Sequence, residues 1–511
     1  MKKFLTLTLA LFGLAATASA QWSSEGPIYI SPMGHSGDDM VKADQAENGD
    51  FYVSWIETQG GYNLNVRMQR LDKDGNALWD KGGIGITNQI TMSWCGDYDC
   101  KATPDGGAVV VWGDSRKDPE VRQSCIPYAY KVDKDGNQLW GLNGLELPCD
   151  GTGMTYSIFP IGEDVIVGYH SYADGDAGSD MKYKVCKISG DGVILWTKDI
   201  AGTWGHFVPT SDGYWLIYMT SKLVAQRFDS DGKPMFEDPI TIQSTGAPDR
   251  GYVNVKADGN DGFFVAYRRL LEHTGLACIQ HVEADGSKTM GLRAVDLYGT
   301  NEDGQHSSTI ALGFKPDKQE VLCAWEMTVS GSELRTNKLS FDGEYLLPEE
   351  TGRRIAFSKT AGKADWGFTA CEVVPLEDGW MLLYGETNAW ADVDLVAAKL
   401  DNDGNVVFKN VLMPSQDIMR TQSIVNDNDR RINFFWNINN TNKNSLNSAS
   451  VRAISISYDG KMEGATGIQE VADKKVSAPE YYRLDGTKID KPSGVCIVRD
   501  SRGNRKINFK N

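Results

Sequence analysis

A glycine-centred turn recurs along this chain, and it limits the fold more strongly than any other feature. Its first copy is Leu71–Trp79, with the sequence Leu-Asp-Lys-Asp-Gly-Asn-Ala-Leu-Trp. The turn glycine occurs eight times, as Gly75, Gly136, Gly192, Gly232, Gly286, Gly343, Gly404 and Gly460. A large apolar residue stands four positions later in seven copies: Trp79, Trp140, Trp196, Phe236, Met290, Leu347 and Phe408. Because glycine adopts positive φ without strain, each copy predicts a tight hairpin.

A second motif alternates with the first. It is a short apolar run that ends in an aromatic residue, and these aromatics lie 49 to 59 residues apart. They are Trp55, Trp112, Tyr169, Tyr218, Tyr267, Trp325, Tyr384 and Trp436. The runs lack polar alternation, so both faces of each strand should be buried and the aromatics should be packing residues. Four strands per repeat, in eight repeats, predict an all-β fold, an eight-bladed β-propeller of four-stranded antiparallel blades.

The eighth repeat lacks its large apolar residue, because Gly464 occupies that position. The segment after residue 21 supplies a substitute: Trp22 is followed by Gly26 four positions later and then by isoleucines, as Trp79 is followed by Gly83 and then by isoleucines. We therefore expect the N-terminal strand to complete the last blade as its outermost strand. Closure of this kind leaves no open sheet edge around the ring. The predicted propeller spans residues 21–467.

The first 20 residues predict a secretory signal peptide. Lys2 and Lys3 precede an apolar stretch, Phe4–Leu14, and Ala18-Ser19-Ala20 forms an A-x-A cleavage site. No cysteine follows this site, which argues against a lipid-anchored lipoprotein. The sequence therefore predicts an exported protein.

Residues 468–511 form a separate tail of different composition. From residue 471 onward ten basic residues face five acidic ones, whereas residues 21–470 contain 40 basic and 64 acidic residues. The tail contains Tyr481–Gly486 (Tyr-Tyr-Arg-Leu-Asp-Gly), Lys491–Val498 (Lys-Pro-Ser-Gly-Val-Cys-Ile-Val) and a basic end. This short β-hairpin pattern resembles the C-terminal sorting domains of the type IX secretion system, although Cys496 stands where an aromatic is usual. The resemblance implies recognition by that machinery and delivery to the surface or medium of a Gram-negative bacterium.

Composition excludes some partners. The chain has 52 basic and 69 acidic residues, a formal net charge of −17. This charge argues against nucleic acid and against anionic membrane surfaces. No segment after the N-terminus has the roughly 20 apolar residues of a membrane span. We expect a monomer.

The repeat also predicts where a ligand binds. With strands A to D numbered from the axis outward, short A–B and C–D turns share one face, here called the lower face. The longer and more variable B–C and D–A connections share the upper face, where binding residues are expected. The predicted ligand-binding residues on this B–C/D–A face are Trp94, Trp204, Trp366, Trp390, Arg116, His206, Arg250 and Arg269. Aromatic and arginine side chains suit a glycan or a protein ligand.

Acidic residues leave two alternatives open. If the chain is an enzyme, a paired-carboxylate site would come from Glu57, Asp114, Glu326 and Glu386, but no spacing singles out a pair. The acidic loop with Asp174, Asp176 and Asp180 has oxygen ligands that suit calcium, or it is a solvated loop tip. No histidine pair has metal-ligand spacing. The expectation is no cofactor, with calcium as the weaker alternative.

Cysteines give a further expectation for an exported chain. Four lie in apolar strand patterns and predict buried thiols: Cys186, Cys278, Cys323 and Cys371. Four others fall within the second repeat and suggest one or two disulfides: Cys95, Cys100, Cys125 and Cys149.

Three functions compete on these observations. The first is a non-catalytic binding module for a glycan or protein, secreted or at the cell surface. The second is a carbohydrate-active hydrolase or lyase on a propeller scaffold. The third rests on the Leu-Asp-x-x-Gly-x-x-x-Trp pattern, which resembles the tryptophan-docking repeats of eight-bladed quinone-dependent dehydrogenases. That signature concerns blade packing, and the vicinal cysteine pair common in those enzymes is missing from the sequence.

Overall fold

The computed structural model describes most of the chain between residues 21 and 509. The described ranges are 21–31, 39–58, 64–80, 82–87, 97–117, 125–173, 181–243, 247–270, 275–298, 305–306, 310–328, 331–358, 368–389, 392–416, 418–438, 450–464, 480–482, 488–489, 494–500 and 503–509. These ranges form strands and turns. The chain divides into two compact units, Met1–Gly464 and Ala465–Asn511.

The first unit is an eight-bladed propeller of antiparallel sheets, as the repeat predicts. Blades 1 to 4 each contain four consecutive strands, numbered β2 to β17 along the chain. Blade 1 contains β2 (Asp39–Gln45), β3 (Phe51–Thr58), β4 (Leu64–Leu71) and β5 (Ile84–Gly85). Blade 2 contains β6 (Tyr98–Ala102), β7 (Ala108–Asp114), β8 (Ile126–Val132) and β9 (Leu145–Glu146). Blade 3 contains β10 (Thr152–Ile161), β11 (Asp164–Tyr172), β12 (Lys182–Ile188) and β13 (Ile194–Ile200). Blade 4 contains β14 (Thr203–Pro209), β15 (Gly213–Met219), β16 (Leu223–Asp229) and β17 (Ile240–Thr241).

Blades 5 to 8 continue the pattern with two departures. Blade 5 contains β18 (Ala247–Ala257), β19 (Phe263–Leu270), β20 (Gly275–Val282) and β21 (Val295–Asp296). In blade 6 the innermost position holds β22 (Gln305–His306) and β23 (Ala311–Lys315), both paired with β24 (Glu320–Thr328), followed by β25 (Ser332–Ser340) and β26 (Arg353–Ser358). Blade 7 contains β27 (Phe368–Leu376), β28 (Gly379–Ala389), β29 (Asp392–Leu400) and β30 (Val406–Gln416). Blade 8 contains β31 (Ile418–Asn426), β32 (Arg431–Ile438), β33 (Ser450–Ser457) and, on its outer edge, β1 (Ile28–Tyr29).

The second unit is a small sheet that the structure describes by its strands. Its order is β35 (Lys488–Ile489), β34 (Glu480–Tyr482), β36 (Gly494–Asp500) and β37 (Gly503–Phe509). Across both units, the described residues contain no helix with the length and hydrophobicity of a membrane span.

The second strand of each blade forms the core. Every residue of β7 and β15 is buried, because these strands pack against neighbouring blades on both faces. The aromatics that end these runs, from Trp55 to Trp436, are at most 5% exposed. The prediction that they are packing residues is confirmed.

The large residue after each turn glycine fills the seam to the next blade. A Cβ added to Gly192 would lie 2.6 Å from Trp140 Cδ1, and one on Gly460 would lie 2.6 Å from Phe408 Cε2. The same side-chain-on-glycine contact occurs in all eight seams. The indole of Trp140 also donates to Gly190 O at 3.0 Å. The turn glycine is therefore required by its positive φ and by the ring packed over it.

The N-terminal segment closes the ring as predicted. Ile28 pairs with Ala453 of β33, and Trp22 is 3% exposed. The Trp22 indole lies on Gly75 of blade 1 and donates to Lys73 O at 2.8 Å. The edge of the indole also meets the Phe435 ring of blade 8, with centroids 6.3 Å apart. Trp22 thus replaces the missing eighth residue.

A ring of cations on the lower face was not predicted from the sequence. Five positions before the turn glycine, the third strand carries a basic residue in seven blades: Arg70, Lys131, Lys187, Arg227, His281, Lys338 and Lys399. Each contacts an acid of its own A–B turn, respectively Asp50, Asp105, Asp164, Asp212, Asp258, Glu320 and Asp378. Several also reach the next blade; Arg227, for example, donates to Ala284 O at 2.8 Å. These side chains tie each blade to its neighbour.

One expectation for the cysteines is confirmed and the other is wrong. Cys186, Cys278 and Cys323 are buried free thiols, and burial raises the pKa of Cys186 to about 12. Cys371 is also free, with burial raising its pKa to about 12. The disulfide expectation is wrong for Cys100 and Cys149, because both are free thiols. Cys95 lies outside the described residues. Closeness in sequence did not bring the sulfur atoms into bonding geometry.

Candidate functional site

One register position of the innermost strands forms a ring around the propeller axis. In every blade, one residue of the inner strand pairs with the residue just before the core aromatic of the second strand. These eight residues are Lys42, Asp99, Ser157, His206, Asn254, Ala311, Glu372 and Gln422, here called the axial ring. No residue type occurs twice among them, and seven are polar.

Four members of the axial ring bond another blade. Asp99 accepts from Ile158 N of blade 3 at 2.9 Å, and Ser157 donates to Gly205 O of blade 4 at 2.9 Å. Asn254 donates to Ile310 O of blade 6 at 2.9 Å. Glu372 of blade 7 accepts from Lys256 Nζ of blade 5 at 2.6 Å, past blade 6, whose axial-ring residue is the small Ala311. These bonds hold the inner strands together.

The other three polar members have side chains without such bonds. Within the described part of the chain, Lys42, His206 and Gln422 form no side-chain hydrogen bond and no ion pair. All three line one cavity of about 560 Å³. Inner strands of six blades contribute to its wall, which places it on the axis. Met40, Asp97 and Trp204 lie at the upper-face starts of β2, β6 and β14, so the cavity reaches that end of these strands.

Backbone bulges shape the rim of this cavity. Met40, Thr155 and Trp204 line it with φ of 55°, 56° and 56°, and each lies where its inner strand shifts register. Positive φ is unfavourable for residues other than glycine, by about 1 kcal/mol or more. Register shifts recur in β18, β27 and β31, so the bulge belongs to the fold. The side chains that it presents are specific to each blade.

Burial determines the charge state of several cavity groups. Burial raises the pKa of the Asp97 carboxyl, with Lys42 opposing this shift and Asp99 adding to it. Burial also raises the pKa of Asp44, although Lys101 Nζ lies 3.4 Å from its Oδ1. Burial lowers the pKa of His206 to about 4, so its imidazole is neutral near neutral pH. The cavity therefore contains one lysine without an ion pair in the described ranges, Lys42, and one aspartate, Asp97, whose pKa burial raises.

Trp204 is held against blade 3. Its backbone N–H donates to His170 Nε2 at 2.7 Å, and the two rings meet edge to face with centroids 5.1 Å apart. The indole remains partly exposed on the cavity wall. This fixed orientation gives the cavity one flat aromatic surface.

Among the predicted ligand-binding residues, the structure brings Trp204 and His206 together in the axial cavity. Arg116 lies elsewhere: its Nε is 2.8 Å from both oxygens of Asp114, and its guanidinium stacks on Tyr128 at 3.8 Å. Arg269 is 6% exposed and bonds Asp296 at 2.6 Å. Six predicted residues lie outside the described residues: Trp94, Trp366, Trp390, Asp174, Asp176 and Asp180. Arg250 lies on β18, and its side chain is outside the described part.

The four predicted catalytic carboxylates lie on the second strands of four different blades, toward their C-terminal ends. Each is engaged locally: Glu57 pairs with Arg67 at 3.6 Å, and Asp114 binds Arg116. The other two are also held. Glu326 accepts from Ser332 Oγ and from Phe368 N at 3.1 Å, whereas Glu386 binds Lys409.

Lys42 and Gln422 were not identified from the sequence, because neither belongs to a repeated motif. Both are polar residues on inner strands, but the bulges shift the register of these strands, so the sequence does not show which of their residues line the cavity. As for metals, no three His, Cys, Asp or Glu side chains of the described ranges group as ligands.

Comparisons with known proteins show no family. No protein-family model matches the chain, and no curated protein matches it. Solved structures of similar shape include BamB from Moraxella catarrhalis (TM-score 0.39, 9% identity, covering 82% of this chain and 99% of that one). The polysaccharide lyase Uly1 has a TM-score of 0.42 and 9% identity, covering 84% of this chain and 90% of that one. A neuraminidase-like protein from A/bat/Guatemala/164/2009 has a TM-score of 0.36 and 8% identity, covering 85% and 94%. At such identities the likeness extends to the propeller scaffold alone.

Proposed function

We propose that this chain is a binding module without catalytic activity, and that its ligand, a glycan or a protein, enters the axial cavity from the upper face. The observation that carries the proposal is the convergence of Lys42, His206 and Gln422, without protein partners among the described residues, on one cavity. All three side chains are partly exposed, so their polar groups are accessible to a ligand that bonds them.

The alternative, a hydrolase or lyase, has less support at the residues first predicted for it. A glycosidase needs one carboxyl that donates a proton and a second that acts as base or nucleophile. Glu57, Asp114 and Glu386 each contact a cation of their own blade, so each already has a protein partner. These ion pairs are better explained as contacts that hold the ends of the second strands in place than as an arrangement for proton transfer.

The proposed location is the bacterial surface or medium. It is supported by the signal-like residues 1–20 and by the resemblance of residues 468–511 to sorting domains. Mass measurement of the protein from a host with type IX secretion tests both ends. Secreted protein that begins at Gln21 is the expected result, and retention in the periplasm of the deletion variant 1–467, which keeps the signal-like segment, is expected if the tail is a sorting signal.

Binding is tested with the mature chain, residues 21–511. A panel of polysaccharides and glycoproteins is incubated with the protein, and retained protein and released fragments are measured by mass spectrometry. We expect retention without fragments, and loss of retention in Trp204→Ala. The control is Lys134→Gln, on an exposed lower-face turn. Release of fragments would contradict the proposal and direct mutation to the four carboxylates.

A further inference from the structure

We propose that the group bound in the axial cavity is the carboxylate of an acidic sugar, held between the Lys42 ammonium and the carboxyl of Asp97, which takes up a proton from solvent on binding. The inference rests on the proposed function and names the ligand chemistry of that site. It follows from which charged groups around the cavity already have partners and which do not.

The cavity has two lysines, and only one is paired. Lys101 Nζ lies 3.4 Å from Asp44 Oδ1, across the seam between blades 1 and 2. Lys42 has no ion pair in the described ranges. Asp44 also accepts from Ala102 N at 2.9 Å, and Asp99 accepts from Ile158 N. Because these carboxylates already accept bonds from protein donors, the charge left to a ligand is the cation of Lys42, which an anion complements.

Asp97 lies beside Lys42 and completes the anion site when it is protonated. The groups that face it are Lys42 from blade 1, Asp99 from its own blade and the Thr155 hydroxyl from blade 3. His206 from blade 4 and Lys101, which pairs with Asp44, line the same cavity. Burial already raises the pKa of Asp97, and a ligand carboxylate beside it would raise that pKa further. A protonated Asp97 then donates a hydrogen bond to the ligand anion.

Proton uptake therefore accompanies binding. The free protein holds the proton of Asp97 less tightly than the complex does, so the affinity for an acidic ligand increases as the pH falls through this pKa range. The sign follows from linkage, since the state with the higher pKa is favoured at lower pH. A neutral ligand brings no charge to Asp97 and lacks this dependence.

The remaining cavity groups favour a sugar over a peptide terminus. Trp204 presents a fixed indole face, the usual partner of the apolar face of a sugar ring. His206, neutral near pH 7, and the amide of Gln422 each donate and accept, as hydroxyl groups do. The cavity volume of about 560 Å³ is within the range of small-molecule sites.

Isothermal titration calorimetry of the mature chain tests the proposal with trigalacturonate as probe. A neutral galactose trisaccharide and an acidic tripeptide are the comparison ligands. Titrations in buffers of different ionisation enthalpy report proton uptake. We expect trigalacturonate to bind with proton uptake, and more tightly at about pH 5 than at about pH 7. Lys42→Gln should weaken binding at least about tenfold, whereas Lys134→Gln should leave it unchanged.

Asp97→Asn is the decisive variant, because the amide replaces the protonated carboxyl without titrating. It should bind trigalacturonate as tightly at pH 7 as the wild type does at low pH, with no proton uptake. Native melting temperatures of all variants establish that they fold.

Other outcomes separate this inference from the proposed function. Equal binding of neutral and acidic trisaccharides, lost in Trp204→Phe, would overturn the carboxylate and leave the binding module intact. Preference for the tripeptide would overturn the choice of a sugar. Cleavage of any ligand would overturn the proposed function itself.

Discussion

On the lower face seven of the eight blades repeat nearly the same contact, whereas around the propeller axis no two blades have the same residue in the axial ring. The lower face has a basic residue in seven blades, each bound to an acid of the adjacent turn. The axial ring has eight different residues at one register position. Repetition is what a ring needs to close on itself, since every seam must have the same geometry. Residues that do not repeat are free to serve a ligand, and this difference separates packing from function here.

The largest expected effect is on ring closure. Trp22→Ala removes the side chain that fills the seam between blades 8 and 1 and should reduce the free energy of unfolding by about 3–5 kcal/mol, as for other buried tryptophans. Deletion of residues 21–30 should be more severe, because it also removes β1 from the edge of blade 8. Chemical denaturation measures both.

Trp140→Ala is the matched control, because the same contact is removed from an internal seam. We expect it to destabilise the ring without opening the connection between first and last blades. Hydrogen exchange of β33 should therefore accelerate in Trp22→Ala and not in Trp140→Ala. An unchanged midpoint for Trp22→Ala would contradict closure by the N-terminus.

The second prediction concerns the repeated cations. Arg227→Met removes contacts to Asp212 at 2.7 Å, Asp261 at 3.2 Å and Ala284 O at 2.8 Å. We expect a loss of about 2 kcal/mol, since Arg227 is buried whereas Asp212 is half exposed. Lys182→Met is the control, because its pair with Asp199 is exposed on both sides and should be worth less than about 1 kcal/mol. Equal losses of unfolding free energy for the two variants, measured by urea denaturation, would show that the ring of cations stabilises the fold no more than an exposed ion pair does.

Local turn chemistry explains why the sequence predicts so much of the scaffold. Gly75 and its seven equivalents require positive φ, and the residue four positions later follows the same period. Even Trp22, more than 400 residues from blade 8 in the chain, was predicted because it repeats the pattern of Trp79. The ring of cations was not predicted because its position is occupied by Lys, Arg or His in different blades, so no single residue type repeats there.

The candidate site is only partly predictable. Trp204 and His206 stood out because they do not repeat, and the structure places both at the cavity. Arg116 stood out for the same reason, yet it binds Asp114 two residues away. Lys42 and Gln422 depend on strand register, and a bulge changes register by a residue without any sequence mark. Sequence alone therefore names unusual residues but does not tell which of them meet.

The third prediction tests blade 5, where histidine takes the position of lysine or arginine. Asp258 accepts from His281 Nε2 at 3.0 Å and from the backbone N–H groups of Asn260 and Gly262. Burial opposes ionisation of Asp258, but these bonds outweigh it and lower its pKa. A lowered pKa in the folded state adds stability above the ordinary value, and this stability is lost as the pH falls through the lowered pKa.

Asp258→Asn should therefore be less stable than the wild type near pH 6, with a difference that shrinks below about pH 4. Urea midpoints across this pH range measure the effect. Glu237→Gln, on an exposed segment, should show a constant and small difference. A difference for Asp258→Asn that does not change with pH would rule out its carboxylate as the titrating group.

The smallest expected effect concerns the strained rim of the cavity. Thr155 is β-branched and has φ of 56°, a conformation that glycine adopts without strain. Thr155→Gly should therefore change the free energy of unfolding by less than about 1 kcal/mol, in the stabilising direction. Thr197→Gly, at an exposed position of β13 with ordinary strand geometry, should destabilise by up to about 1 kcal/mol. Opposite signs for these two substitutions would show that strain is concentrated at the cavity. Equal losses of unfolding free energy would instead mean that the backbone at the cavity rim is no more strained than the repeated turns of the lower face. Backbone strain would then not distinguish the two faces.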